Sequence, residues 1–408
     1  MRSTRQYVLV LSSCLLAALV VSVILNTTVN PWRVTPAPWS VSVLDPYRDF
    51  HRQIRTGKAG LIRATPDIGV GLFGSSRSAN GLDPDPELWG RSDVYNFGFS
   101  GGFIYENAAI CRYLIERHHP DLIIFGVDPG DLNTDIDTRI ATDFSSSPLD
   151  ERQDGIDREL RYLFGISTAE ASVATLQRAI TKQRPKFTAR GFRFRPEHSQ
   201  KRSQLEFIRG HILGDAEFDL PDTSRADATI RPEKIELLKE LMISCRGRGI
   251  KFVVFFQPSH ALLHAELGDT AAPPVLHASE REAILHVVEE VGSPKLSGPV
   301  PEFWDFNGHH PFDCDPIPQS DSERMEHWND LGHYTVEVGR VILSRIMGWS
   351  PSIQAGSTYG TKVTSENVAL HFSNLRKNYQ DYLTGPHRKD VEWKEELLHS
   401  GSRSAAHR

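Results

Sequence analysis

The chain has 408 residues, of which 39% are hydrophobic and 24% charged, a composition that suits a globular protein of one large or two ordinary domains. Its formal net charge of −6 provides no overall basic excess, which argues against nucleic acid as a partner. Its 4 cysteines lack paired metal-ligand spacing, and only Cys111, Cys245 and Cys314 lie beyond the first apolar run, so a disulfide framework is excluded and at most one bridge is expected.

At the amino terminus, Arg2 and Arg5 precede an uncharged apolar run over residues 7–25, about the length that crosses a bilayer. The positive-inside rule then puts the bulk of the chain outside the cytoplasm. The run is longer than a usual signal-peptide core and no small-x-small site stands at its end, so residues 1–30 are read as a retained single-pass anchor. Leu11-Ser12-Ser13-Cys14 looks like a lipoprotein box, but too little apolar chain precedes it and the chain stays apolar after it, so Cys14 is read as lipid-facing. Asn30-Pro31-Trp32 and Pro36-Ala37-Pro38-Trp39 make a proline-punctuated exit with interfacial tryptophans. Residues 31–66 are expected to be a juxtamembrane linker, with a basic helix over 48–63 resting on the domain or on lipid.

From there strand and helix patterns alternate, which predicts an α/β fold, a three-layer doubly wound parallel sheet over residues 67–349. Strands are expected over 68–73, 94–97, 121–128, 251–257 and 303–306, and helices over 104–117, 232–246, 279–291 and 334–347. Residues 130–225, polar and basic around a helix at 169–180, read as an insertion or lid. Residues 350–408 read as a polar tail with one helix, carried by Val368, Phe372, Leu375, Tyr379 and Leu383 and stopped at Gly385-Pro386, then a disordered end.

The first strand ends in Gly74-Ser75-Ser76-Arg77, which would present a hydroxyl at the carboxyl edge of the sheet. Serine is an ordinary turn residue, so alone this describes a strand and a turn. Its weight comes from Trp328-Asn329-Asp330-Leu331-Gly332-His333 far downstream, just before the last helix of the domain. A serine hydroxyl is a weak nucleophile until a histidine takes its proton, and a carboxylate on the far ring nitrogen holds the productive tautomer. Ser76, His333 and Asp330 are the candidates.

The order of these blocks resembles the SGNH hydrolase superfamily, in particular its membrane-anchored extracytoplasmic members near the polysaccharide O-acetyltransferases. The resemblance covers residues 68–349. Gly74-Ser75-Ser76 stands where the family has Gly-Asp-Ser, which makes Ser76 the implied nucleophile. Asn96-Phe97-Gly98 fits the second block, with the Gly98 amide implied as an oxyanion donor. Gly126-Val127-Asp128 stands where the family has Gly-x-Asn, so Asp128 puts a carboxylate in place of an amide donor. Asp330 and His333 match the final Asp-x-x-His. Losing one oxyanion donor costs about 3 to 4 kcal/mol of transition-state stabilisation, so Asp128 must be neutral, turned away or compensated by Arg77, or the site is not a competent hydrolase.

Gly98-Phe99-Ser100-Gly101-Gly102 also satisfies Gly-x-Ser-x-Gly, the nucleophile elbow of an α/β-hydrolase with Ser100 attacking. Asp131, Asn133, Asp135 and Asp137 alternate like calcium ligands but lack the glycine and distal glutamate of an EF-hand, so an acidic surface loop is favoured. His309-His310-Pro311-Phe312-Asp313-Cys314 reads as a loop near the site mouth rather than a metal site, since adjacent histidines rarely chelate one ion. Lys182, Arg184, Lys186, Arg190, Arg193, Arg195, Lys201, Arg202 and Arg209 form either a strip for an anionic polymer or lipid head groups, or a solvated basic loop.

The expectation is an anchored, extracytoplasmic serine esterase or O-acyltransferase that acts on a cell-surface glycan or an acylated small molecule, without metal or cofactor. The competing expectation is an inactive scaffold that binds polysaccharide or its assembly partners.

Overall fold

The computed structural model describes residues 2–50, 52–134, 137, 139, 143–194, 203–214, 229–350 and 354–405. In chain order the helices and strands are α1 (Arg2–Val29), α2 (Ile54–Ala64), β1 (Val70–Phe73), α3 (Ser76–Gly81), α4 (Pro86–Trp89), β2 (Val94–Asn96), α5 (Ile104–Arg117) and β3 (Leu122–Val127). Three helices follow, α6 (Gly155–Phe164), α7 (Ile166–Thr181) and α8 (Gln204–Ile212). Then come α9 (Pro232–Gly247), β4 (Lys251–Phe256), α10 (Ala278–Gly292), β5 (Glu302–Asp305), α11 (Val336–Met347), β6 (Thr361–Val363), α12 (Val368–Thr384) and α13 (Arg388–Ala405).

The six strands form one sheet in the order β2-β1-β3-β4-β5-β6, parallel except for the antiparallel edge strand β6. Its central strands are apolar throughout because both faces are covered. Along β3 and β4 the side chains alternate with a period of two. Ile123, Phe125, Phe252 and Val254 join α5, α9 and α10 in one core, while Leu122, Ile124, Val253 and Phe255 join α11 and α12 in the other. The order reverses between β1 and β3, which pair directly from Val70↔Leu122 to Phe73↔Phe125. Chain leaving the carboxyl ends of these neighbours diverges and opens a crevice there.

α1 is long and apolar enough to span a membrane over Thr4–Val29. Beyond it, the residues expected to form a linker fold into the domain. α2 is buried along most of its length, and Lys58 is fully buried with its ammonium donating to the carbonyls of Asn96 (2.6 Å) and Gly191 (2.5 Å). The buried ammonium is tolerated because two carbonyls replace part of its hydration.

The end of the chain differs from the expectation of disorder. α13 docks through buried Val391, and Lys394 Nζ caps the carbonyls of Leu262, Leu263 and Ala265 at 3.2, 2.9 and 3.1 Å. α12 buries Tyr379, whose hydroxyl donates to Asp269 Oδ2 at 2.7 Å. All four cysteines are free thiols, Cys14 exposed and Cys111, Cys245 and Cys314 buried.

Candidate active site

β1 ends at Phe73 and the backbone turns through Gly74, whose φ of +140° lies where L side chains are strained. A Cβ on Gly74 would also lie 2.3 Å from Ser78 Oγ, so the turn needs glycine on both counts. Ser75 is the N-cap of α3, its hydroxyl accepting from the Arg77 amide at 3.2 Å. Ser76 opens the helix above the end of β1 and is thereby aimed into the crevice.

The histidine arrives on a loop closed upon itself. Trp328 and Tyr334 form an antiparallel bridge, and the Asn329 amide donates to the His333 carbonyl at 2.8 Å. Inside the loop, Asp330 Oδ1 accepts from the amides of Gly332 and His333, both at 2.8 Å. Buried Trp328 anchors the loop by donating from Nε1 to the Phe312 carbonyl at 2.6 Å.

These two elements bring the three candidates together. Ser76 Oγ lies 2.7 Å from His333 Nε2, and His333 Nδ1 lies 2.8 and 2.9 Å from the two carboxylate oxygens of Asp330. Asp330 is buried, so its charge is screened little and faces the imidazole directly. A proton on Nδ1 held by Asp330 leaves the Nε2 lone pair facing the hydroxyl, the tautomer that a general base requires.

The remaining positions diverge from their expected roles. The Gly98 amide donates to Asn96 Oδ1 at 2.9 Å, so it is engaged instead of facing an oxyanion. Gly98 is required for a different reason. A Cβ there would lie 2.8 Å from the Ala79 nitrogen and 3.1 Å from the carbonyl oxygens of Gly74 and Ser75. Its bare backbone lets the second strand's exit pack against the serine turn.

Asp128 follows β3 beside the serine turn. Its Oδ1 accepts from Gln257 Nε2 and lies 4.0 Å from Arg77 Nε. Gln257 in turn accepts on Oε1 from Ser78 Oγ at 2.9 Å and from Tyr334 OH at 3.1 Å. Burial, followed by the negative field of Asp128, pushes the Tyr334 phenol up, so it stays a neutral donor in this chain. Arg77 Nη1 donates to the Pro258 carbonyl and to Ser259 Oγ, both at 3.1 Å, so three contacts fix the guanidinium next in sequence to Ser76.

The other sequence candidates separate from this cluster. Ser100 Oγ accepts from Arg193 Nη1 at 2.5 Å and its carbonyl accepts from Arg55 Nη2 at 3.0 Å, the partners of a braced turn. Arg190 likewise folds inward, onto the carbonyls of Ser92 and Val94 and over the Tyr95 ring, so Arg190 and Arg193 are engaged within the domain while Lys182, Arg184 and Lys186 are exposed. Arg195, Lys201 and Arg202 lie outside the described residues.

Within the acidic run, Asp131 is buried beside Lys234 at 3.4 Å and Asp137 pairs with Arg139 at 2.7 Å, while Asp135 lies outside the described residues. Asp131 is therefore not on a surface loop. Among the described residues, no group of three or more His, Cys, Asp or Glu side chains is placed to hold a metal ion. His309 stacks on Tyr379 with ring centroids 4.8 Å apart, and burial lowers its pKa to about 3. It lines a cleft of about 780 Å³ against α12 that includes none of Ser76, Asp330 and His333.

Two residues of the cluster were not anticipated. Gln257 directly follows β4 as the first polar side chain after an apolar run, a position at the sheet's carboxyl edge that could have flagged it. His211 comes from α8, inside the expected insertion. A Cβ on Gly332 would lie 3.9 Å from both His211 Cε1 and Arg77 Nη2, so His211 stands over the histidine loop. Burial lowers the His211 pKa, with Asp330 pulling the other way. α8 is fixed there by Gln204, which donates to the Trp328 carbonyl at 2.7 Å and accepts from the Met325 amide at 2.8 Å. Its start carries a capping box, Ser203 with Glu206. Compared with known proteins, the chain matches no family model, and no curated protein matches it at a significant level.

Proposed function

We propose that the protein is an SGNH-like serine esterase or O-acyltransferase, anchored by α1 with its domain outside the cytoplasm, and that it acts on a cell-surface glycan. The observation that carries the reaction type is the continuous contact from Ser76 Oγ through His333 to Asp330, at 2.7 and 2.8 Å. The glycan and the extracytoplasmic side rest on the resemblance of the four sequence blocks and on the charge flanking the apolar run.

In this reading His333 Nε2 takes the Ser76 proton as Oγ attacks the acyl carbonyl carbon. The tetrahedral intermediate collapses when His333 returns that proton to the departing alkoxide, leaving an acyl ester on Ser76. A water or a sugar hydroxyl then attacks the ester, giving its proton to His333, which passes it back to Ser76. Asp330 stays ionised and holds the ring tautomer throughout. With the Gly98 amide engaged, the charge facing a developing oxyanion falls to the Arg77 guanidinium and to the Ser76 amide, whose N–H in the first turn has no partner within the helix.

The scaffold reading draws on one observation, the Asp128 carboxylate where an oxyanion donor is expected. Arg77 and Gln257 hold that carboxylate, which reduces its repulsion of an intermediate. Turnover of a small aryl acetate by the full chain in detergent, lost in Ser76→Ala, tests the choice. No turnover by the well-folded wild-type chain would favour the scaffold.

A further inference from the structure

Amphipathic α6 and α7 meet at Gly165 as a helical hairpin whose position relative to α1 is fixed by hydrogen bonds. Asn26 near the end of α1 donates from Nδ2 to the Leu163 carbonyl at 2.9 Å and accepts on Oδ1 from Ser172 Oγ at 3.1 Å. An α-helix rises about 1.5 Å per residue and the hydrocarbon core is about 30 Å thick, so a span starting at Tyr7 leaves the core roughly 20 residues on, close to Asn26. The hairpin therefore grips α1 at the level where it passes from acyl chains to head groups.

An apolar stripe runs along the exposed surface of α6, flanked on one side by the exposed Asp157–Arg161 ion pair. Ile156, Leu160 and Phe164 recur at four-residue spacing and are 72%, 47% and 42% exposed, with Ile166 of α7 continuing the patch at 79%. That face cannot turn inward, because the opposite face is docked. Tyr162 is buried, edge-on to Trp32 at 6.1 Å, and its hydroxyl donates to the Ser146 carbonyl at 2.6 Å. On the neighbouring side of α1, Trp39 donates from Nε1 to Thr27 Oγ1 at 3.1 Å yet is 61% exposed, the amphipathic arrangement that suits the head-group boundary. Lys182 and Arg184, exposed just after α7, can meet lipid phosphates.

We propose that the α6–α7 hairpin is seated in the leaflet from which α1 emerges, with Ile156, Leu160, Phe164 and Ile166 among the upper acyl chains, so that the domain rests on the bilayer at a fixed attitude. The inference rests on α1 being a membrane anchor. A lipid occupant is favoured over a second copy of the chain because the apolar patch is continuous with α1, none of whose most apolar window is buried in the protein. A segment that only tethered the domain would not require apolar side chains on the hairpin beside it.

The test uses the full chain in phosphatidylcholine–phosphatidylglycerol nanodiscs, with Cys14→Ala removing the exposed thiol and one bimane label at Leu160→Cys, Val20→Cys or Glu236→Cys. Lipids brominated along their acyl chains and aqueous iodide serve as the two quenchers. The proposal predicts that the label at position 160 is quenched by brominated lipid, at least half as strongly as the one at position 20, and shielded from iodide. The label at 236 should respond to iodide alone. Lipid quenching at 20 with iodide access at 160 would overturn the hairpin proposal while leaving the anchor intact, as would protection of 160 from both quenchers, which a second copy covering the face would give. Absence of lipid quenching at 20 would overturn the anchor and the hairpin proposal with it.

Discussion

His333 Nε2 stands 2.7 Å from Ser76 Oγ although 257 residues separate the two in sequence. The contact exists because β1 delivers the serine at the carboxyl edge of the sheet and the Trp328–Tyr334 bridge closes a short loop that delivers the histidine to the same edge. Asp330 has two tasks in that loop, accepting the amides that shape it and orienting the imidazole.

The two tasks can be separated by Asp330→Asn. The amide oxygen still accepts from the loop amides, so folding should be preserved, but Nδ1 no longer faces a carboxylate and the productive tautomer is lost. We expect kcat on an acetyl ester to fall by about 10⁴ with little change in KM. Placed on top of Ser76→Ala, the same change should cost almost nothing further, since without the nucleophile the ring tautomer no longer matters. Additive losses in steady-state kinetics would contradict the arrangement.

Arg77 and Asp128 should move the rate in opposite directions. Arg77→Gln removes the guanidinium next in sequence to Ser76 and should lower kcat by about 10²-fold, the scale of one lost oxyanion contact. Asp128→Asn keeps an acceptor for Gln257 while freeing Arg77 from its counter-charge, and should raise kcat, by up to tens-fold. A fall in kcat for Asp128→Asn, measured on a folded sample, would assign Asp128 a positive role in the reaction.

Ser100 should be dispensable for chemistry. Ser100→Ala removes the hydroxyl that accepts from Arg193, and with a charged donor on one side we expect a loss of about 2 kcal/mol in stability by urea unfolding. Acetyl-ester turnover should stay within about twofold of wild type, because hydroxyl removal at 100 leaves the contact between Ser76 and His333 intact. Loss of turnover with Ser100→Ala would revive the α/β-hydrolase reading.

Acid sensitivity should trace in part to Asp305. Burial pushes this carboxyl up, but Arg281 Nε at 2.6 Å and His371 Nε2 at 2.7 Å outweigh it and lower its pKa from 3.8 to about 2. The folded value lies below the unfolded one, so the stabilisation is complete above about pH 4 and is lost as pH falls through about 2. It amounts to roughly 2 kcal/mol. Urea midpoints taken between pH 5 and 2.5 should fall less steeply for Asp305→Asn than for wild type. Parallel curves would contradict the assignment.

Much of the sheet was legible because strands buried on both faces read as apolar runs, and β3 and β4 were bounded within a residue or two by Asp121, Asp128, Lys251 and Gln257. Ser76, Asp330 and His333 were legible as residue types beside element boundaries. What the neighbours of a site residue do was not. Whether the Gly98 amide faces an oxyanion depends on Asn96, and whether Asp128 repels one depends on Arg77 and Gln257, contacts that the fold alone creates. α13 was missed because its composition is polar, and its docking depends on a few residues such as Val391 and Lys394.

The central claim is that Ser76 is the nucleophile of a working triad. Its most direct measurement is mass spectrometry of the full chain after reaction with a fluorophosphonate, which displaces fluoride and leaves a stable adduct on an activated serine hydroxyl. The account predicts a single adduct on the peptide carrying Ser76, abolished by His333→Ala and unaffected by Ser100→Ala. An adduct on Ser100, or none on a well-folded wild-type chain, would contradict it.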